Sequence, residues 1–256
     1  MIRLARLLLI LTLPSAALLG CINQSSTDSI KPQNRIKVAD LNTQIAIAYI
    51  RDGNYELALE KLNKAIAADP KHAAAYSTTG LLYNRVGEFE KAEKNFKKAL
   101  RIESKNSSIL NNYGQVLCQH GQYAKGQKMF LKANENSLYR TPEISLSNAG
   151  TCAMAADDTA AAETHFRAAL KLNPRIATAL LQMSSLSYDL TRYLPARAYF
   201  QRYLEVSNQS AQSLWLGIRI ERELGDKDAL SSYMLLLENE FPDSEEARLL
   251  LSSNNS

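Results

Sequence analysis

Two stretches of this chain are copies of one pattern at a fixed offset. AAAYSTTGLLYNRVGEFEKAEKNFKKALRIES (73–104) and SSILNNYGQVLCQHGQYAKGQKMFLKANENSL (107–138) align with Gly80 on Gly114, Gly87 on Gly121, Phe89 on Tyr123, Phe96 on Phe130 and Ala99 on Ala133. The shift is 34 residues at every pair. A unit this short cannot bury its apolar face alone, so copies must stack into a continuous core. Only ten glycines and seven prolines occur in 256 residues, alanine and leucine dominate, and no alternating β-branched runs appear. Each unit is therefore helical.

The recurring positions match the tetratricopeptide repeat, two antiparallel helices per unit, and the expected fold is an all-α superhelix of six helix pairs with a C-terminal capping helix. Small residues at position 8 (Ala46, Gly80, Gly114, Gly150, Ser184) and position 20 (Ala58, Ala92, Gly126, Ala162, Ala196) let the two helices approach. Bulky residues at position 24 (Leu62, Phe96, Phe130, Phe166, Phe200) fill the space between them. Glycine at position 15 (Gly53, Gly87, Gly121) ends the first helix in a left-handed conformation, and Pro70, Pro174 and Pro242 mark turns into following units. The units read 39–72, 73–106, 107–140, 143–176, 177–210 and 211–244, with two residues inserted around Pro142. In the sixth, Leu216-Gly217 and Ala229 each stand one residue early, which predicts a longer first helix. A cap over 244–251 is expected next, with Asp243 as its N-cap and Glu246 completing a capping box. Residues 252–256 read as a disordered tail.

The amino terminus carries a different signal. Arg3 and Arg6 precede an apolar run from Leu7 to Leu19, interrupted by Thr12, Pro14 and Ser15. That run is shorter than the roughly 20 residues needed to span about 30 Å of hydrocarbon, and it has the anatomy of a secretory leader. Leu18-Leu19-Gly20-Cys21 resembles a bacterial lipobox, in which residues 1–20 are removed and Cys21 receives lipid. Ile22 stands where Asp usually retains a lipoprotein at the inner membrane, which favours the outer membrane, on its periplasmic side. Polar residues 21–38 then read as a flexible tether. Loss of Arg3 and Arg6 takes the formal charge from +4 to about +2. That balance argues against nucleic acid, whose binding needs a concentrated basic stripe.

Few residues suggest chemistry. His72 falls at a repeat junction, His165 precedes Phe166, and His120 lies two residues from Cys118, on a different helix face. No phosphate loop, HExxH or GxSxG motif occurs, and no cysteine–histidine cluster has metal spacing. We expect no enzyme activity, no cofactor, no metal and no small-molecule substrate. Cys118 and Cys152 occupy positions 12 and 10 of neighbouring first helices; they can be bridged if their Cβ atoms come within about 4.5 Å, or remain two separate thiols. The concave face of such a stack is lined by positions 2, 5, 6, 9, 12 and 13 of the first helices. Here these include Thr43 and Ile47; Ser77, Leu81 and Asn84; Asn111, Asn112, Gln115 and Gln119; Ser147, Asn148 and Thr151; and Leu181 and Tyr188. Amides there can hold an extended backbone, since each donates and accepts. Asn112 and Asn148 share position 6 and either serve that purpose or bond to neighbouring turns. Ser77 and Leu81 stand where a terminal-carboxylate clamp would need charge and amide, so no clamp is expected. Tyr76, Tyr83, Tyr113 and Tyr188 read mostly as core, while the facing of Trp215 is left open by the frame shift.

The whole chain from 21 to 250 resembles the type IV pilus biogenesis lipoproteins called PilF or PilW. The resemblance rests on ILNNYGQVLCQHGQYAKG, LYRTPEISLSNAG, RYLPARAYFQRYL and above all SLWLGIRIERELGDKDALSSYMLLLENEFPDS, which departs from the generic repeat. It implies a pilotin: an outer-membrane lipoprotein, monomeric here, that binds the pilus secretin subunit and supports pilus assembly and twitching motility. The alternative is an envelope adaptor for another client, such as the β-barrel assembly machine or a cell-wall synthase.

Overall fold

The structure is a computed structural model that describes residues 32–254. The expected leader, Cys21 and the stretch up to residue 31 lie outside these residues, as do residues 255 and 256. Thirteen α-helices and no strand occur among the described residues. The helices pair as α1 (Pro32–Arg51) with α2 (Tyr55–Ala68), α3 (Ala73–Arg85) with α4 (Phe89–Ile102), and α5 (Ser107–Gln119) with α6 (Tyr123–Asn134). Then follow α7 (Pro142–Ala155) with α8 (Thr159–Leu172), α9 (Ala177–Asp189) with α10 (Tyr193–Leu204), α11 (Ala211–Leu224) with α12 (Lys227–Glu240), and α13 (Glu245–Asn254). Each first helix packs on its own second helix and on the first helices of adjoining units; each second helix touches the first helix that follows. α13 closes the stack against α11 and α12.

The core follows the repeat positions. Leu62, Phe96, Phe130, Phe166 and Phe200 are buried beside fully buried alanine at position 20, replaced by Gly126 in the third unit, and at position 27, replaced by Tyr203 in the fifth. A Cβ on Gly80, Gly114 or Gly150 would lie 2.8, 2.8 or 2.6 Å from the ring of its own unit's phenylalanine, so the small residue at position 8 is required by contact. The fifth unit differs. Ser184 replaces the glycine and donates its hydroxyl to the Ala196 carbonyl at 2.9 Å, and the ring of Phe200 reaches forward to Gly217 and meets Tyr233 edge-on. The early Leu216-Gly217 pair therefore makes room for its neighbour's phenylalanine. The expected lengthening of the sixth unit's first helix is not seen: α11 has 14 residues, one more than α9 and the same as α7, so the early pair shifts the packing without extending the helix.

Position 15 is left-handed in all six units. Gly53, Gly87, Gly121 and Gly225 have φ between 71° and 80°, and Asp157 and Thr191 adopt 58° and 56° in the fourth and fifth.

Three boundary expectations are corrected. Residues 32–38, assigned to the tether, belong to α1, because proline is tolerated in the first turn and nothing after it interrupts the helix. The cap begins on Ser244, not Asp243: the Ser244 hydroxyl accepts from the Ala247 amide at 3.1 Å, so Glu246 falls one residue short of the capping-box place. Residues 252–254 continue α13 and are not tail. No helix among the described residues is long and apolar enough to cross a membrane.

Candidate functional site

Adjacent first helices pack so closely that position 5 is covered. Thr43, Ser77, Asn111 and Ser147 are buried, which corrects their assignment to the open groove. The Thr43 hydroxyl turns back to the Ala39 carbonyl, and Asn111 accepts from the Asn148 amide at 3.1 Å. Leu181, at the same position, is half-buried against the fifth unit's core. The open surface comes from positions 6, 9, 12 and 13: Ile47, Gln115, Gln119 and Thr151 are exposed, with Leu81, Asn84, Asn112 and Asn148 half-buried beside them.

The structure gathers the middle of this set into one place. Gln115, Gln119, Asn148 and Thr151 surround a cavity of about 190 Å³ between α5 and α7, with Phe130, Ala155, Cys118 and Cys152 completing its lining. A disulfide joins the two cysteines, with their Cα atoms 5.6 Å apart. It fits because of Gly126, the one glycine at position 20: a Cβ there would lie 2.2 Å from the Cys118 sulfur. Sequence reading placed Gly126 among the small residues without seeing this purpose.

Beside the cavity, Asn84 donates to Gln119 at 2.9 Å and accepts from His120 at 2.8 Å, which uses both ends of its amide. His120 stacks on Phe89 with ring centroids 4.1 Å apart. This histidine, set aside in the sequence because helix periodicity separates it from Cys118, acts as a strut between the second and third units. The cavity thus offers amides, a hydroxyl and an apolar floor, with no charged side chain in its lining. That chemistry suits an extended polypeptide with small or apolar side chains. Among the described residues, no cluster of three or more His, Cys, Asp or Glu side chains could hold a metal ion.

The tyrosines divide. Tyr113 is core: it stacks on Phe96 and donates to Glu93 at 3.0 Å, and burial together with that carboxylate raises its pKa. Tyr76, Tyr83 and Tyr188 are only half-buried, and each faces a cation: Lys98, Lys91 and Arg219 respectively. Trp215 packs on the C-terminal core, with the Arg222 guanidinium over its ring.

Comparison with known proteins agrees with this architecture. Family profiles for the tetratricopeptide repeat match residues 37–104, 95–128 and 148–213. The type IV pilus assembly protein PilF of Pseudomonas aeruginosa is 30% identical over 233 residues, 91% of this chain and 92% of that one. This chain belongs to the PilF family. A solved structure from the functional characterisation of Pseudomonas aeruginosa PilF superposes with a TM-score of 0.77 at 30% identity, covering 86% of this chain and 99% of the other. The crystal structure of PilW, a widely conserved type IV pilus biogenesis factor, gives 0.76 at 29% identity, with 84% and 99% covered.

Proposed function

We propose that this PilF-family chain is a pilotin, an outer-membrane lipoprotein attached through Cys21 that binds the type IV pilus secretin subunit and promotes its multimerisation. The near full-length similarity to a type IV pilus assembly protein carries this reading. The groove supplies a compatible mechanism. A membrane strand awaiting insertion exposes alternating apolar side chains and unpaired backbone. Gln115, Gln119 and Asn148 can hydrogen-bond such a backbone while the disulfide and Phe130 receive a side chain. The protein would hold its client and transform nothing.

Deletion of the gene is expected to abolish detergent-resistant secretin multimers in outer-membrane fractions, and the intact gene is expected to restore them. Normal multimers in the deletion strain would refute the proposal. Radiolabelled palmitate should enter the mature protein and not its Cys21→Ala variant. If crosslinking recovers barrel-assembly or cell-wall components in place of the secretin, the chain is an adaptor for those clients.

A further inference from the structure

A second surface, separate from the groove, is built from α3, α4 and α6. Tyr76 and Tyr83 floor an open cleft of about 500 Å³ whose wall is Lys91, Lys94, Asn95, Lys98 and Arg101 of α4. Lys91 pairs with Glu88, and Lys97, on another side of the helix, pairs with Glu93. Lys94, Lys98 and Arg101 are left with no acidic partner among the described residues. Glu90 and Glu93, the acids of α4, do not line the cleft.

The repeat extends this face. Lys128 and Lys132 stand 34 residues after Lys94 and Lys98 and so share their facing on the next second helix; both are exposed, and α6 carries no acid at all. The distal end of the stack has the opposite sign, with Glu238, Glu240, Asp243, Glu245 and Glu246 on or beside α12 and α13. Charge therefore runs along the stack, basic toward the amino-terminal units and acidic at the far end.

We propose that the α4–α6 face rests on an anionic phospholipid surface. The inference depends on attachment through Cys21, which lies 11 residues before Pro32 and so places α1 within about 40 Å of the bilayer. Lysines and arginines are drawn to an anionic lipid surface, and acyl anchoring combined with a basic patch fixes orientation as well as location. The half-buried tyrosines floor the same surface, with the Lys91 and Lys98 amines held over their rings. Docking this way leaves the first-helix groove turned away from lipid and open to a client.

The test uses the full lipidated protein in nanodiscs of phosphatidylcholine alone or with phosphatidylglycerol. Amine acetylation, read by mass spectrometry at Lys94, Lys98 and Lys128, is compared with Lys227, at the acidic far end of the stack, as an internal reference. Acetylation of the three should slow about fivefold or more in the anionic discs, and the protection should vanish near 1 M salt, where the screening length is about 3 Å. A Lys94→Glu/Lys128→Glu variant with unchanged melting should lose the protection at Lys98. Equal labelling in both discs overturns the proposal. So does equal protection by inorganic phosphate in the neutral discs, which would define a free-phosphate site, or protection by polyglutamate alone, which would assign the face to an acidic polypeptide. Protein that separates from both kinds of disc during gel filtration refutes the anchor itself, an outcome distinct from loss of charge-dependent protection.

Discussion

At the scale of single residues, the decisive contacts are steric. Gly126→Ala would drive a methyl group into the Cys118 sulfur, so the bridge and the alanine cannot coexist without backbone movement. We expect a loss of about 1–3 kcal/mol and a rise in free thiol on Ellman titration, while Ala92→Gly, at the same position in a unit without a bridge, leaves thiol content unchanged. Thr191 is a β-branched residue in the left-handed region, which costs about 1–3 kcal/mol, only part of which glycine's extra chain entropy offsets. Thr191→Gly should therefore raise stability by up to about 1 kcal/mol in urea unfolding. His165 has its pKa lowered by burial, with Asp158 opposing. Its neutral form favours the fold, so its contribution is full above pH 6.5 and declines as the pH falls below that value. His165→Gln should flatten the stability profile between pH 7 and 5. The sequence displayed small and bulky positions clearly, since they recur. It did not display the burial of position 5, because Thr43, Ser77, Asn111 and Ser147 are polar and their covering depends on the distance between helices, which no single helix encodes.

Among elements, the fifth and sixth units are joined by a polar contact that no repeat position announces. Arg197 of α10 makes a two-pronged ion pair with Glu221 of α11, whose side chain is 1% exposed, and reaches Asp226, the N-cap of α12, at 3.3 Å. Hydrogen bonding to Glu221 raises the arginine's pKa further. Removing the cation strands a buried carboxylate, so Arg197→Met should cost about 3–5 kcal/mol, and Arg197→Met/Glu221→Leu should recover much of it. Thermal melts of the two variants check this. By contrast Phe166→Ala, at a position the repeat fixes, should lose about 3–5 kcal/mol with no partner substitution able to restore it. The helices themselves were legible to within a few residues because the turn signals are periodic. The ends were not: α1 and α13 lack a neighbouring copy against which to align, and there the tether, tail and N-cap assignments slipped.

For the molecule as a whole, architecture follows from periodicity, while the site depends on where two periods are out of step. The insertion around Pro142 offsets the fourth unit, so that cysteines 34 residues apart occupy positions 12 and 10 yet meet. Reading positions alone left both the bridged and the unbridged state open. The cavity of the groove forms at this same offset. Reducing the disulfide should lower stability by about 2–4 kcal/mol, and native-state hydrogen exchange should show α5 and α7 losing protection more than α1 or α12.

The bridge also sets how such a molecule responds to tension. If its two ends are drawn apart, helix pairs can peel from either terminus, but the chain enclosed by Cys118 and Cys152 cannot pay out. About 110–120 Å of contour length is withheld, so an oxidised molecule stretched to its limit is shorter by that amount than a reduced one and still encloses α6 within a covalent loop.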